Sequence, residues 1–221
     1  MSQIGAAVPG AGVAARWRLD DRVALVTGAS AGLGARFARV LHEAGAHVLV
    51  TARRADLLDQ LARECGERIE ALPGDITDAS HRQALAGRLA SRGRLDVLVN
   101  NAGICDDGLL EQQSLEELRG VIEVNLISVL DICRLTAPLL LAAQWGERGV
   151  RVNALAPGYF PTELTGHLAD PGFAQSIREH TLLARIPALE EIDGPLLFLA
   201  TAASSYMTGQ VLVIDGGWTA V

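Results

Sequence analysis

The sequence predicts an α/β fold: a doubly wound parallel sheet with helices on both faces. Three observations carry this. Short apolar runs of strand length alternate with amphipathic helical patterns along the 221 residues, the layout of βαβ units. The first such run ends in a glycine-rich turn that opens directly into a helical pattern. Apolar residues make up 49% of the chain, ample for a core, with no composition shift, linker or repeat to divide it.

Val23–Val26 reads as a buried strand. From Gly34 on, Phe37, Val40, Leu41 and Ala44 share one helix face, and Gly45 stops that helix. Residues 46–51 form a second apolar strand. Arg53 and Arg54 follow, then a helix with Leu57, Leu58 and Leu61 inward. Residues 68–72 are a weaker third strand, closed by Pro73-Gly74-Asp75. Thr77 or Asp78 caps the next helix, whose Leu85 and Leu89 face inward. Residues 95–99 are a fourth strand, running into Asn100-Asn101-Ala102-Gly103. A long helical stretch starts near Ser114, with Glu116 and Glu117 in its first turn. Leu118, Val121, Ile122, Asn125 and Val129 form its stripe, and Pro138 ends it. Residues 150–155 are a strand leading to Pro157-Gly158. Helical pieces cover about 161–181, and a firmer helix covers about 188–201. Residues 210–214 are the last strand, before Asp215-Gly216-Gly217. Residues 1–15 read as a disordered tail without the basic start of a signal peptide, and 16–221 as a single domain.

A net charge of −7 leaves no basic footprint for nucleic acid. No apolar run reaches the ~18 residues of a membrane span. Cys65, Cys105 and Cys133 are odd in number and widely spaced, which fits reduced thiols in a cytoplasmic protein. No His, Cys or carboxylate cluster has metal-ligand spacing. His167 and His180 read as surface or lid residues. All 19 basic residues are Arg; the chain has no Lys.

The turn Thr27-Gly28-Ala29-Ser30-Ala31-Gly32-Leu33-Gly34 joins a strand to a helix N-terminus. Free N–H groups and the helix dipole there favour a phosphate. A Cβ at Gly28, Gly32 or Gly34 is expected to push a pyrophosphate away, and Ser30 offers a hydroxyl. The alternative is a glycine turn between core elements with no ligand.

With Asp75, Asn100-Asn101-Ala102-Gly103, Asn125, Pro157-Gly158-x-x-x-Thr162 and Asp215-Gly216-Gly217, this turn resembles the short-chain dehydrogenase/reductase family over about residues 18–219. The resemblance implies a Rossmann-like fold and hydride transfer between a nicotinamide dinucleotide and a small alcohol or ketone. By it, the glycine turn, with Ser30 and the Leu33 backbone, holds the pyrophosphate. Asp75 accepts from the adenine amino group beside the Ile76 backbone. Asn101, Ala102 and Gly103 border the adenosine ribose. Pro157 and Gly158 face the nicotinamide carboxamide, and Thr162 reaches the carboxamide or phosphates. Asn125 orders a proton-relay water. Simpler roles stay open: Asp75 capping a turn, Asn100 and Asn101 forming one, Thr162 capping a helix that starts there, and Arg53 and Arg54 as a solvated helix start.

A carboxylate after the second strand would select a ribose 2′-hydroxyl. Ala52, Arg53 and Arg54 stand there instead, and a guanidinium forks onto phosphate. NADP(H) is therefore preferred, with NAD(H) the alternative.

The family's chemistry needs a Ser and a Tyr-x-x-x-Lys in which the cation makes the phenol a usable acid–base. Tyr159 is followed by Glu163 at that spacing and Tyr206 by Gln210, so neither fits. Roughly 45 residues look absent near 141–149, about one βα unit, which would shorten the sheet by one strand. The lost piece includes most of the helix that pairs across a dimer interface in the family, leaving a homo-oligomer an open question. Three functions compete: an oxidoreductase whose catalytic segment is missing from this chain, a non-catalytic dinucleotide-binding or interaction protein, and an enzyme using Tyr159 or Cys105 as a substitute acid. Residues 160–189 sit where the family's variable lid lies. The tail from Ile192 to Trp218 looks most like relatives acting on sugar acids or 3-oxoacyl thioesters.

Overall fold

A computed structural model describes residues 12–105, 108–139 and 149–220. The chain forms two compact units, residues 20–144 and residues 1–19 with 145–221. The α/β class and parallel pairing agree with the sequence; among the described residues the strands pair as a four-stranded set in one unit and a two-stranded set in the other.

The larger unit holds β1 (Val23–Thr27), β2 (His47–Thr51), β3 (Ile69–Ala71) and β4 (Val97–Val99) in the order β3-β2-β1-β4, all parallel. Every residue of β1 is buried, as its two neighbours and β-branched run demand. Around it lie α1 (Gly32–Glu43), α2 (Ala55–Cys65), α3 (Ala79–Ser91), α4 (Leu115–Ile122) and α5 (Ser128–Thr136). Val23, Leu25, Leu49, Leu85, Leu89, Leu95 and Ile132 form the core cluster. Asp96 fastens the entry to this sheet, accepting from the Val23 N–H at 2.9 Å and from Arg22 and Arg94.

Local signals placed the helix starts well. Asp78 caps α3, accepting from the Ser80 N–H, which settles the choice between Thr77 and Asp78. Ser114 and Glu117 form a reciprocal capping box at α4. The long helical stretch ends at Thr136, two residues before Pro138. Its middle departs from expectation: Glu123–Ile127 is a π-helical turn, so the inward stripe slips. Ile122 and Asn125 are exposed, and Ser128, Ile132 and Thr136 are the buried positions.

The smaller unit pairs β5 (Ala154–Pro157) with β6 (Val211–Ile214) in parallel. β5 begins later than expected. Residues 151–153 are held by mixed bonds: the Gly209 N–H donates to the Val152 carbonyl at 2.7 Å, the Val152 N–H to Thr208 Oγ1, and Asn153 Nδ2 to the Met207 carbonyl. α6 (Pro171–His180) is capped by Asp170 and α7 (Asp193–Ala200) follows a 3-10 turn at Leu189–Ile192. Arg151 donates to the carbonyls of Leu199 and Thr201 at the end of α7 and to Ser204, an anchor for the strand. Val13–Trp17 is a 3-10 turn; residues 1–11 of the expected tail lie outside the described residues. The expected excision at 141–149 falls almost wholly outside the described residues.

Candidate functional site

Parallel strands deliver their carboxyl ends to one edge, where α/β folds bind ligands. At that edge of the larger unit lie the loop after β1 (from Gly28), Ala52–Arg54 after β2, Asp75 and Ile76 after β3, and Asn100–Gly103 after β4. These residues, expected from the sequence to hold a dinucleotide, therefore lie on one rim.

Its centre is a hydrogen-bonded knot. Thr27 Oγ1 accepts from the N–H groups of Asn101 (3.1 Å) and Ala102 (3.0 Å). Asn101 Nδ2 donates to the carbonyls of Thr27 (3.0 Å) and Gly28 (3.2 Å). The buried Ala29 donates its N–H to the Thr51 carbonyl at 3.2 Å. The turn is thus tied to β2 on one side and β4 on the other.

The structure gives Gly28 and Gly34 a reason within the protein itself. A Cβ on Gly28 would lie 2.8 Å from Ala102 Cα, and one on Gly34 would lie 2.5 Å from Asn101 Nδ2 and 2.8 Å from the Gly28 carbonyl carbon. Both would meet protein, so bare glycines let α1 close onto the end of β1. Gly28 and Gly32 also have φ of +67° and +55°, a region that a Cβ disfavours. The helix N-terminus keeps its anion-binding character. Ala31 is the N-cap of α1 and has no side chain to accept from the first-turn N–H groups, so Gly32 and Leu33 present backbone donors in the way a phosphate requires.

Arg54, rather than Arg53, reaches the turn: its Nε and Nη2 lie 3.2 and 3.1 Å from Ser30 Oγ and donate to it. Arg53 is exposed at the start of α2 and its charge lies close enough to favour the ionised Asp75. Asp75 Oδ1 accepts from the Thr77 N–H (2.9 Å) and hydroxyl (2.8 Å). Those donations, the backbone one foremost, hold its carboxyl below the usual carboxylate range. The turn-capping role of Asp75 is therefore real, and Oδ2 makes no hydrogen bond among the described residues. His81, unremarked in the sequence, bridges this rim, with Nε2 2.7 Å from Thr51 Oγ1. Burial pushes its pKa down.

Asn125 spends both ends of its amide on one residue. Oδ1 accepts from the Ile104 N–H at 3.0 Å and Nδ2 donates to the Ile104 carbonyl at 2.7 Å. The π turn aims it there, and it braces the chain just after Gly103. Asn100 donates to Cys133 Sγ at 3.4 Å. Cys65, Cys105 and Cys133 carry free thiols.

Pro157, Gly158 and Thr162 belong to the smaller unit. Pro157 pairs with Ile214. A Cβ on Gly158 would lie 2.7 Å from Asp215 Cα, so this glycine serves the β5–β6 junction. Thr162 caps no helix: residues 161–165 are a bend in which its N–H donates to Thr165 Oγ1 at 2.9 Å. Tyr159 packs edge-on against Trp218 (5.2 Å between ring centres) and Phe173 (5.7 Å). It lines a cavity of about 80 Å³ with Phe160, Ile177 and Ile214. Tyr206 is fully exposed.

Besides His81, two residues near the site went unread in the sequence. Arg82 is buried on the same face of α3 as Leu85 and Leu89; the signal was an Arg in an apolar stripe. Asn125's partner, 21 residues away, left no signal.

Residues 22–147 match the family model described as short chain dehydrogenase, and residues 139–219 match the one described as Enoyl-(Acyl carrier protein) reductase. Galactitol 2-dehydrogenase (L-tagatose-forming) of Cereibacter sphaeroides is 30% identical over 246 residues, covering 92% of this chain and 97% of that protein. Gluconate 5-dehydrogenase of Gluconobacter oxydans (strain 621H) is 31% identical over 247 residues, covering 91% of this chain and 96% of that protein. The gluconate 5-dehydrogenase from Burkholderia cenocepacia J2315, solved in complex with NADP and tartrate, superposes with a TM-score of 0.86 at 29% identity, covering 95% of this chain and all of that one. An alignment of 246 positions is longer than the 221-residue chain itself, so the chain skips positions that its relatives fill.

Proposed function

This chain belongs to the short chain dehydrogenase family, and from that premise we propose that it binds NADP(H) as an oxidoreductase of small alcohols and ketones whose proton-transfer half is absent from the chain. The observation that carries the binding reading is the knot of Thr27, Gly28, Gly34, Asn101 and Ala102, which holds an uncapped helix N-terminus at the carboxyl edge of the sheet. These residues fit a dinucleotide: bare backbone donors for the pyrophosphate, Asp75 Oδ2 for the adenine amino group, and Arg53 and Arg54 for a ribose phosphate. Relatives solved with NADP support the cofactor choice.

A bound nicotinamide supplies the hydride. The chain's own part is to bind and orient it, through the turn, Asp75 and the brace that Asn125 gives to Ile104. Proton transfer lacks its pair. With no Lys in the sequence, no Tyr-x-x-x-Lys pair can form, and in the family that Lys is what makes the phenol a usable acid–base. Loss of one βα unit near 141–149 accounts for this. The overlap of the two family matches at 139–147 and the skipped positions support it, as does β4, which pairs only with β1 among the described residues. Sugar acids and 3-oxoacyl compounds are the substrates we favour, from relatives named for gluconate and 3-oxoacyl carriers. A cytoplasmic setting suits the free thiols.

The absence of Lys favours one second reading, a dinucleotide-binding protein that no longer catalyses. Fluorescence titration of the purified 221-residue chain with NADPH, followed by a ketone-reduction assay, separates the two. Binding without turnover supports loss of catalysis. Turnover above background would overturn the missing-pair argument, and no binding would overturn the site. Resequencing the gene tests whether a longer reading frame restores the segment.

A further inference from the structure

We infer that Arg82 is a positioning residue that makes the dinucleotide site prefer adenine over a base lacking its amino group; this deepens the NADP(H)-binding reading and rests on it. Arg82 keeps only 7% of its side chain exposed and stands where α3 would bury an apolar residue, in line with Leu85 and Leu89. A buried guanidinium is costly unless every side of it is paired, and replacing such a pair with apolar packing is often neutral or stabilising. Stability alone therefore does not explain it; what the pairing provides is position.

The pairing is directed at one loop. Arg82 Nε donates to Asp131 Oδ2 on α5 at 2.6 Å. Nη1 donates to the carbonyls of Ile76 (2.8 Å) and Thr77 (2.9 Å), and Glu123 lies 3.8 Å away. Thr77 in turn donates its N–H and hydroxyl to Asp75 Oδ1. A continuous run of donated hydrogen bonds thus leads from α5's carboxylate, through Arg82 and Thr77, to Asp75. It fixes the backbone of the two residues after Asp75 and the rotation of its carboxylate, which sets where Oδ2 points. A carboxylate oxygen held there accepts from the amino group of adenine. It meets the carbonyl of hypoxanthine acceptor to acceptor, an unfavourable contact.

The test uses the full chain and two ligands, NADPH and its hypoxanthine analogue, titrated by fluorescence. The unsubstituted protein should favour NADPH by roughly tenfold, the order of one hydrogen bond to a charged group. Arg82→Lys keeps the charge but cannot span Asp131 and both carbonyls. It should reduce the preference to about twofold or less while the analogue binds as before. Asp131→Asn and Thr77→Val should move the preference in the same direction, and they carry the test if Arg82→Lys does not fold. Equal weakening of both ligands would mean a purely structural role and would overturn the inference. So would an unsubstituted protein that binds both equally. A protein that binds neither ligand would instead overturn the dinucleotide reading on which this rests.

Discussion

Replacing Gly34 with Ala adds one methyl group and should disable the site. The new Cβ would lie within contact of the Gly28 carbonyl and 2.5 Å from Asn101 Nδ2. Neither neighbour can retreat cheaply. Gly28 is backbone at φ +67°, and Asn101 Nδ2 is committed to two carbonyls. α1 must then back away from the end of β1, carrying its N-terminal donors with it. Overpacking of this kind costs about 1–3 kcal/mol. For a chain of this size each kcal/mol lowers Tm by about 2–4 °C. Misplacing a single phosphate contact weakens NADPH binding by roughly 10-fold to 100-fold. Gly87→Ala is the matched control. It sits in α3 with nothing within 4 Å of its Cβ, so the same methyl should stabilise by about 0.5–1 kcal/mol. Thermal melting followed by circular dichroism and NADPH titration read both variants. A Gly34→Ala protein that melts and binds like the parent would refute the close-approach argument.

Arg53→Ala and Arg54→Ala should each weaken NADPH by about tenfold and leave NADH nearly unchanged, because only the former carries the phosphate a guanidinium grips; equal loss for both cofactors would speak against a phosphate site. Asn125→Ala should raise hydrogen exchange at the Ile104 amide about tenfold or more, since that N–H loses its acceptor; unchanged exchange at Ile104 would show that the brace is not holding the loop. Glu191 is held down to about 2, first by donation from Arg185 and then by the Ala188 N–H. A depressed carboxylate contributes its stability above its ordinary value near 4.5 and loses it as pH falls toward 2. Acid titration of the smaller unit's melting should therefore show a loss of stability between about pH 4.5 and 2 that Glu191→Gln reduces; an identical acid limb in both proteins would count against the pair.

What was legible in the sequence was local. Strand and helix alternation follows from side-chain period, and the caps at Asp78 and Ser114 from donors two or three residues away. The glycine turn and the Asn-Asn-Ala-Gly stretch announced themselves by residue type, and the missing Tyr-x-x-x-Lys by the absence of Lys. Their physical roles were not legible. Gly34 is glycine because Asn101 is against it, and Thr27 holds residues 74 and 75 positions away. Arg82 sits in an apolar stripe because Asp131, 49 residues on, neutralises it. Asn125 turns to Ile104 because a π turn re-aims it. Periodicity records which face of an element is buried; it cannot record what lies on the other side of that face, and that is where this site was decided.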